Sequence, residues 1–133
     1  MYYFAYGPNI NRRQMAEKCP GSKPLFPATL PNYKLIFTDW SRQWKGGIAS
    51  IRPVKGEKVM GAVYEITDVD LKKLDRYEGY PVSYNRFKVT VWTEDGDPVE
   101  AITYIRTEQS QETKPSTEYF KIITQGYRDW DIE

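Results

Sequence analysis

Val59, Gly61, Val63 and Glu65 alternate with Met60, Ala62, Tyr64 and Ile66, a period of two that predicts a β-strand with at least one buried face. The same reading gives a short aromatic strand at Tyr2 to Tyr6 and a second at about Tyr33 to Asp39, entered through a Pro31-Asn32 turn. "WKGGIASIRP" predicts a third, entered at Gly46-Gly47 and closed by Pro53. "YNRFKVTVWTEDGDPVEAITYI" predicts a hairpin that turns at Asp95-Gly96. Between the strands the period lengthens to that of helices. Asn9 or Asn11 can cap a helix running towards Lys18, which Cys19-Pro20-Gly21 stops. In "TDVDLKKLDRYEGY", Thr67 and Asp70 have the spacing of a capping box and Gly79 suits a left-handed end. "KPSTEYFKIITQG" predicts a last helix, capped by Ser116 or Thr117, with Glu118 in its first turn and Tyr119, Ile122 and Ile123 on one face before Gly126.

This makes about six strands and two or three short helices in one α+β domain spanning 1–133. With strands in the majority, a closed or nearly closed, mostly antiparallel barrel is the expected way to protect their edges.

Composition changes the picture by subtraction. The chain has 19 basic and 18 acidic residues, so it offers no broad electrostatic reason to bind nucleic acid or a membrane surface. No apolar stretch approaches the length of a bilayer span, and the N-terminus lacks a signal-peptide pattern. One cysteine, Cys19, allows no intrachain disulfide and points to a reducing, cytoplasmic location. The chain has no histidine. This removes Ser-His-Asp and Cys-His schemes together with imidazole metal sites, and the lone cysteine removes a thiolate cluster. If the protein is an enzyme, its proton transfers then fall to a carboxylate, a tyrosine or a lysine.

Among the carboxylates Glu78 stands out. On a helical wheel at about 100° per residue, with Leu71 at zero, Leu74 lies near −60° and Tyr77 near −120°, while Glu78 falls at roughly −20° and Asp75 at about +40°. Glu78 is therefore inside the apolar stripe and Asp75 on its edge. A carboxylate facing inward at a helix C-terminus is opposed by desolvation and by the negative end of the helix dipole, and both raise its pKa. On the wheel alone, the other reading is a frayed helix end with Glu78 in water. The loop "YGPN" has a similar pair of readings. The amides of Gly7, Asn9 and Ile10 can bind an anion or oxyanion, Pro8 having none, or the segment is simply a tight strand-to-helix turn. Gly46-Gly47 either lines a pocket or lets a strand bend. Tyr119 is core, or reaches a pocket with its hydroxyl. Cys19, followed by a proline, reads as inert.

Four of these stretches occur together in another setting. "YYFAYGPNI", "WKGGIASI", "LDRYEG" and "PSTEYFKIITQG" resemble, in order, the signature segments of the γ-glutamylcyclotransferase-like family, whose first segment usually reads Tyr-Gly-Ser-Asn-Leu. The resemblance runs from Tyr2 to Gly126. It implies a small mixed β-barrel flanked by helices, without metal or cofactor, acting on a small γ-glutamyl amine, peptide or amino acid as a monomer or homodimer. It implies cyclisation, in which the substrate's α-amine attacks its own γ-carbonyl and releases 5-oxoproline and the free amine. The family's catalytic glutamate falls on Glu78. The substrate-binding positions fall on Tyr3, Phe4, Ala5, Tyr6, Gly7, Pro8, Asn9, Ile10, Gly47 and Tyr119, and whether Asp75 or Tyr119 assists Glu78 is left open by the sequence. Pro8 departs from the family's usual serine, which removes one backbone donor and one hydroxyl. The alternative function is a non-catalytic small-molecule binding domain of the same fold.

Overall fold

The computed structural model of the protein describes residues 1–132. Its five strands are β1 (Tyr2–Ala5), β2 (Lys23–Ser41), β3 (Gly46–Glu65), β4 (Tyr84–Trp92) and β5 (Pro98–Arg106). They close into a barrel in the order β1-β3-β2-β4-β5. All neighbours are antiparallel except β1 and β5, which meet in parallel through Tyr3 and Ile102. Closure through β1 and β5 removes the open edges that a flat sheet of these strands would have there.

The barrel has one strand fewer than expected because two long strands do the work of several. The segments on either side of Pro53 form one strand of 20 residues, and Pro31-Asn32 is not a turn but lies within β2. Register shifts at Pro24/Phe26 and Pro31/Tyr33 show why: Pro24 and Pro31 sit at bulges, where a missing amide breaks no regular ladder. Asn32 takes the left-handed conformation at one bulge (φ 63°), and its Oδ1 accepts the Gly56 amide at 3.1 Å. The prolines that hide Lys23–Leu30 from a propensity reading thus allow a long strand to bend around the barrel. The Asp95-Gly96 turn does close the β4–β5 hairpin, with Gly96 at φ 84°.

Three helices flank the barrel: α1 (Arg12–Lys18), α2 (Asp68–Glu78) and α3 (Thr117–Asp129). Asn11, not Asn9, caps α1, its side chain accepting the Gln14 amide at 3.1 Å. Asn9 belongs instead to a 3-10 turn, Pro8–Ile10, where Pro8 takes the first position. The Thr67–Asp70 capping box closes with bonds of 3.1 and 2.9 Å, and Gly79 ends α2 at φ 70°. Ser116 caps α3, which continues through Gly126. A Cβ there would lie 2.4 Å from Ile10 Cγ2 and 2.6 Å from the Asn11 amide, so glycine lets α3 press against the loop after β1.

The apolar side chains form two clusters. One fills the barrel, with Phe4, Ile51, Val63 and Val91 at its centre and Tyr119 and Ile123 of α3 closing one side. The other lies beneath α1 and α2, where Tyr3, Ile10, Met15, Leu74, Tyr84, Tyr104 and Trp130 pack together. A cavity opens where the two meet.

Candidate active site

The cavity encloses about 520 Å³. Tyr3 and Tyr6 reach it from β1, Gly7, Pro8 and Asn9 from the following loop, and Gln14, Glu17 and Lys18 from α1. Tyr77 and Glu78 enter from the end of α2, and Ser83 and Tyr84 from the start of β4. Tyr104 and Arg106 come from β5, Tyr119 from α3, and the β2–β3 tip contributes Ser41, Gln43, Trp44, Ile48 and Ala49.

Glu78 is the last residue of α2, and its carboxyl makes no protein hydrogen bond among the described residues. Burial pushes its pKa up to about 7, against the opposing pull of Lys18 and then Arg106. Leu74, fully buried one turn earlier, fixes which way this helix faces. Tyr77 lies outside the buried stripe expected for it: it is 61% exposed, and the Lys18 ammonium stands 5.6 Å from its ring centre.

Five tyrosines, Tyr3, Tyr6, Tyr84, Tyr104 and Tyr119, surround Glu78 closely enough for its charge to act on them. Burial first, and that charge besides, push their pKa values up, so they stay protonated at neutral pH. Their hydrogen bonds divide them into two kinds. Tyr6 donates its proton to the Tyr104 carbonyl (2.7 Å), Tyr84 to the Ala49 carbonyl (2.7 Å) and Tyr104 to Asp75 Oδ1 (2.6 Å). The other two hydroxyls accept: Tyr119 from the Ala49 amide at 2.9 Å, and Tyr3 from Asn9 Nδ2 at 3.0 Å. An accepting hydroxyl keeps its own proton for another partner. Lys18, a donor only, settles which way the Asn9 amide points, because its ammonium donates to Asn9 Oδ1 at 2.6 Å and leaves the amino group to face Tyr3. Of these five, Tyr3 and Tyr119 are therefore the two with a donor free for the cavity.

The loop supplies two further donors. The Gly7 and Asn9 amides have no acceptor in the turn, whereas the Ile10 amide is taken by the Gly7 carbonyl at 3.0 Å. Pro8 occupies a position whose amide a helical turn would leave unpaired in any case.

The chain as a whole is similar to known proteins. Residues 3–129 match the family model described as "Gamma-glutamyl cyclotransferase, AIG2-like". The human protein named gamma-glutamylcyclotransferase is 32% identical over 132 residues, covering 96% of this chain and 70% of its own length. A solved structure titled gamma-glutamyl cyclotransferase superposes with a TM-score of 0.92 at 30% identity, over 98% of this chain and 79% of that one. The YkqA protein of Bacillus subtilis superposes at 0.84 with 25% identity, over all of this chain and 49% of its own.

The chain belongs to the γ-glutamyl cyclotransferase, AIG2-like family.

Within this cyclotransferase fold, seven of the positions expected at the site line the cavity: Tyr3, Tyr6, Gly7, Pro8, Asn9, Glu78 and Tyr119. Four do not. Phe4 is directed into the barrel core and Ala5 is buried under the helices, because successive residues of β1 face opposite sides. Ile10 is fully buried, and its carbonyl accepts the Trp130 indole at 2.8 Å. Gly47 serves packing. Its amide donates to the Lys114 carbonyl at 2.9 Å, and a Cβ would lie 2.0 Å from the Thr113 carbonyl oxygen, so the glycine admits the segment that leads from β5 to α3. Asp75 is likewise outside the cavity lining, bound to Arg86 (2.9 and 3.2 Å) and Tyr104. Burial pushes the Cys19 thiol up to about 11, which leaves it unreactive at neutral pH. Among the cavity residues that the sequence reading did not assign to the site are Lys18, Trp44, Tyr84, Tyr104 and Arg106.

Proposed function

We propose that the chain is a single-domain γ-glutamyl cyclotransferase with Glu78 as its one general base and acid. The substrate folds so that its α-amine lies against its own γ-carbonyl. Glu78 accepts a proton from the α-ammonium, and the freed nitrogen attacks the γ-carbon. As the intermediate collapses and the bond to the departing nitrogen breaks, Glu78 gives that nitrogen the proton it holds, and it then relays the second proton shed by the ring nitrogen to the same group. The products are 5-oxoproline and the departing amine in its ammonium form, so the proton count is unchanged. Because the reacting groups belong to one molecule, holding the folded conformer removes much of the entropic part of the barrier. The Gly7 and Asn9 amides and the free protons of Tyr3 and Tyr119 are donors for the developing oxyanion. Every step as written is met by side chains and amides of this chain, without a metal, and a single buried thiol is in keeping with the cytoplasm.

One observation supports this reading above the rest: a carboxyl with no protein partner, raised to about 7, faces a cavity rich in hydrogen-bond donors. A carboxyl near 7 is the kind that both takes and returns a proton at neutral pH. The test is incubation of the purified protein with a panel of γ-glutamyl amino acids, peptides and amides, detecting 5-oxoproline. We expect release from at least one member, unchanged by a chelator. A panel bound by the protein but never cyclised would instead support a binding domain.

A further inference from the structure

Glu78 is flanked by two cations, Lys18 and Arg106, where cyclisation of a γ-glutamyl group needs only one to meet the α-carboxylate. Lys18 is tied to Asn9, in the loop that lines the cavity. In the folded substrate the α-carboxylate is attached to the ring that is forming, so it stays beside the γ-carbonyl and belongs at this loop end. Arg106 is held differently, at the end of β5. Its Nε donates to Asp39 Oδ2 at 3.0 Å, and its guanidinium carbon lies 5.2 Å from the centre of the Tyr84 ring. Asp39 is held in turn by the Ser110 hydroxyl. The Arg106 and Asp39 side chains are only 18% and 19% exposed, and the guanidinium's sole side-chain bond among the described residues is the one from Nε. A guanidinium fixed along one edge presents the amino groups of another, in the planar fork that carboxylates favour.

We propose that Arg106, braced by Asp39, is the specificity-determining residue for the departing half of the substrate, binding a carboxylate carried by the leaving amine. The enzyme then favours γ-glutamyl amino acids over γ-glutamyl amides with an uncharged leaving group. This rests on the cyclotransferase reading, with Lys18 serving the half that cyclises.

The test compares γ-glutamyl-alanine with γ-glutamyl-ethylamide, which differs only by the leaving-group carboxylate. Wild-type protein should prefer the alanine compound. Arg106→Met should lower kcat/KM for it by about ten- to a hundredfold, the scale of losing a hydrogen bond between charged groups, mainly through KM. Measured well above the Glu78 acid limb, which loss of the Arg106 charge moves higher, turnover of the ethylamide should fall far less than that of the alanine compound, and circular dichroism reports that the variant is folded. Arg106→Lys should recover part of the preference. Asp39→Asn, suited to the left-handed backbone at this position (φ 63°), should lose part of it, as befits a positioning residue. Lys18→Met should weaken both substrates alike. Equal effects of Arg106→Met on the two substrates, or a preference governed by Lys18, would overturn the proposal while leaving cyclisation standing. Calorimetric binding of the same two compounds reads the preference without turnover. Binding selectivity that depends on Arg106, with no 5-oxoproline formed, would uphold this site and overturn the cyclotransferase reading alone.

Discussion

Replacing Glu78 by Gln should make the protein more stable and the enzyme almost inert, and the stability gain should depend on pH. A carboxyl raised from 4.5 to about 7 binds its proton more tightly folded than unfolded. Below pH 4.5 it is protonated in both states and contributes nothing. Between 4.5 and 7 the unfolded chain ionises first, so stability falls as pH rises, and above 7 the penalty is complete. At 1.36 kcal/mol per pKa unit the penalty is about 3 kcal/mol, and water in the cavity trims it to about 2–3. Gln has nearly the same shape and no charge to desolvate, so the variant escapes this term. With 133 residues and about 2.1 cal/mol/K of unfolding entropy per residue, the gain adds about 7–11 °C to the Tm offset at pH 8 relative to the offset seen at pH 4.5.

Turnover should move the other way, by at least the about 10²–10⁴-fold typical of losing one general acid–base group, since one residue serves both proton transfers. Thermal melts of both proteins from pH 4.5 to 8, paired with a 5-oxoproline assay at pH 8, measure the two effects on the same samples. A Tm difference that does not change with pH would show that Glu78 titrates as an ordinary surface carboxyl. Near-normal 5-oxoproline release by the variant would remove Glu78 from the mechanism.

Three further outcomes are expected. The acid limb of kcat/KM should fall near pH 7 although the chain has no histidine, and Lys18→Met should move it higher, because the Lys18 charge draws Glu78 down against burial; a limb near 4.5 would contradict the buried carboxyl. Asp75→Asn should cost about 1–3 kcal/mol in denaturant melts through weakened contacts to Arg86 and Tyr104, yet keep turnover within about tenfold, and a loss as large as that of Glu78→Gln would make Asp75 the catalytic group. Gly47→Ala should destabilise by about 1–3 kcal/mol and expose residues 107–116 to limited proteolysis, since its Cβ meets the Thr113 carbonyl, whereas unchanged melting and digestion would refute that close approach.

What was legible in the sequence was mostly local. Caps, the capping box and the Asp95-Gly96 turn are decided by residues a few positions apart, and α2 begins and ends where its motifs place it. The strand count failed for a reason that is also physical. Proline is a strand breaker only where its missing amide would have been used, and β2 puts Pro24 and Pro31 beside register shifts where it is not. Gly47 presents a different difficulty, because a glycine that admits substrate and one that admits a chain segment look alike until the segment is seen. One missed pair was recoverable. Counting outward from the hairpin turn pairs Trp92 with Pro98 and, eight residues further along each strand, Tyr84 with Arg106. The turn alone therefore joins an aromatic face and a guanidinium at the cavity end of the sheet.

The division of the tyrosines into donors and acceptors was out of reach, since it depends on partners such as Tyr6 with Tyr104 and Tyr119 with Ala49, far apart along the chain. Glu78 was within reach for a reason that bears on how the site is built. The Thr67–Asp70 box fixes the start of α2, Gly79 fixes its end, Leu74 fixes its rotation, and the Asp75–Arg86 pair ties it to β4. None of these contacts uses the Glu78 carboxyl. The helix would stand in the same place with a neutral residue there, and would stand more firmly above pH 7. The unfavourable burial of this carboxyl is thus borne by anchors that are independent of it. This is why removing the charge is expected to abolish the chemistry and leave the fold intact.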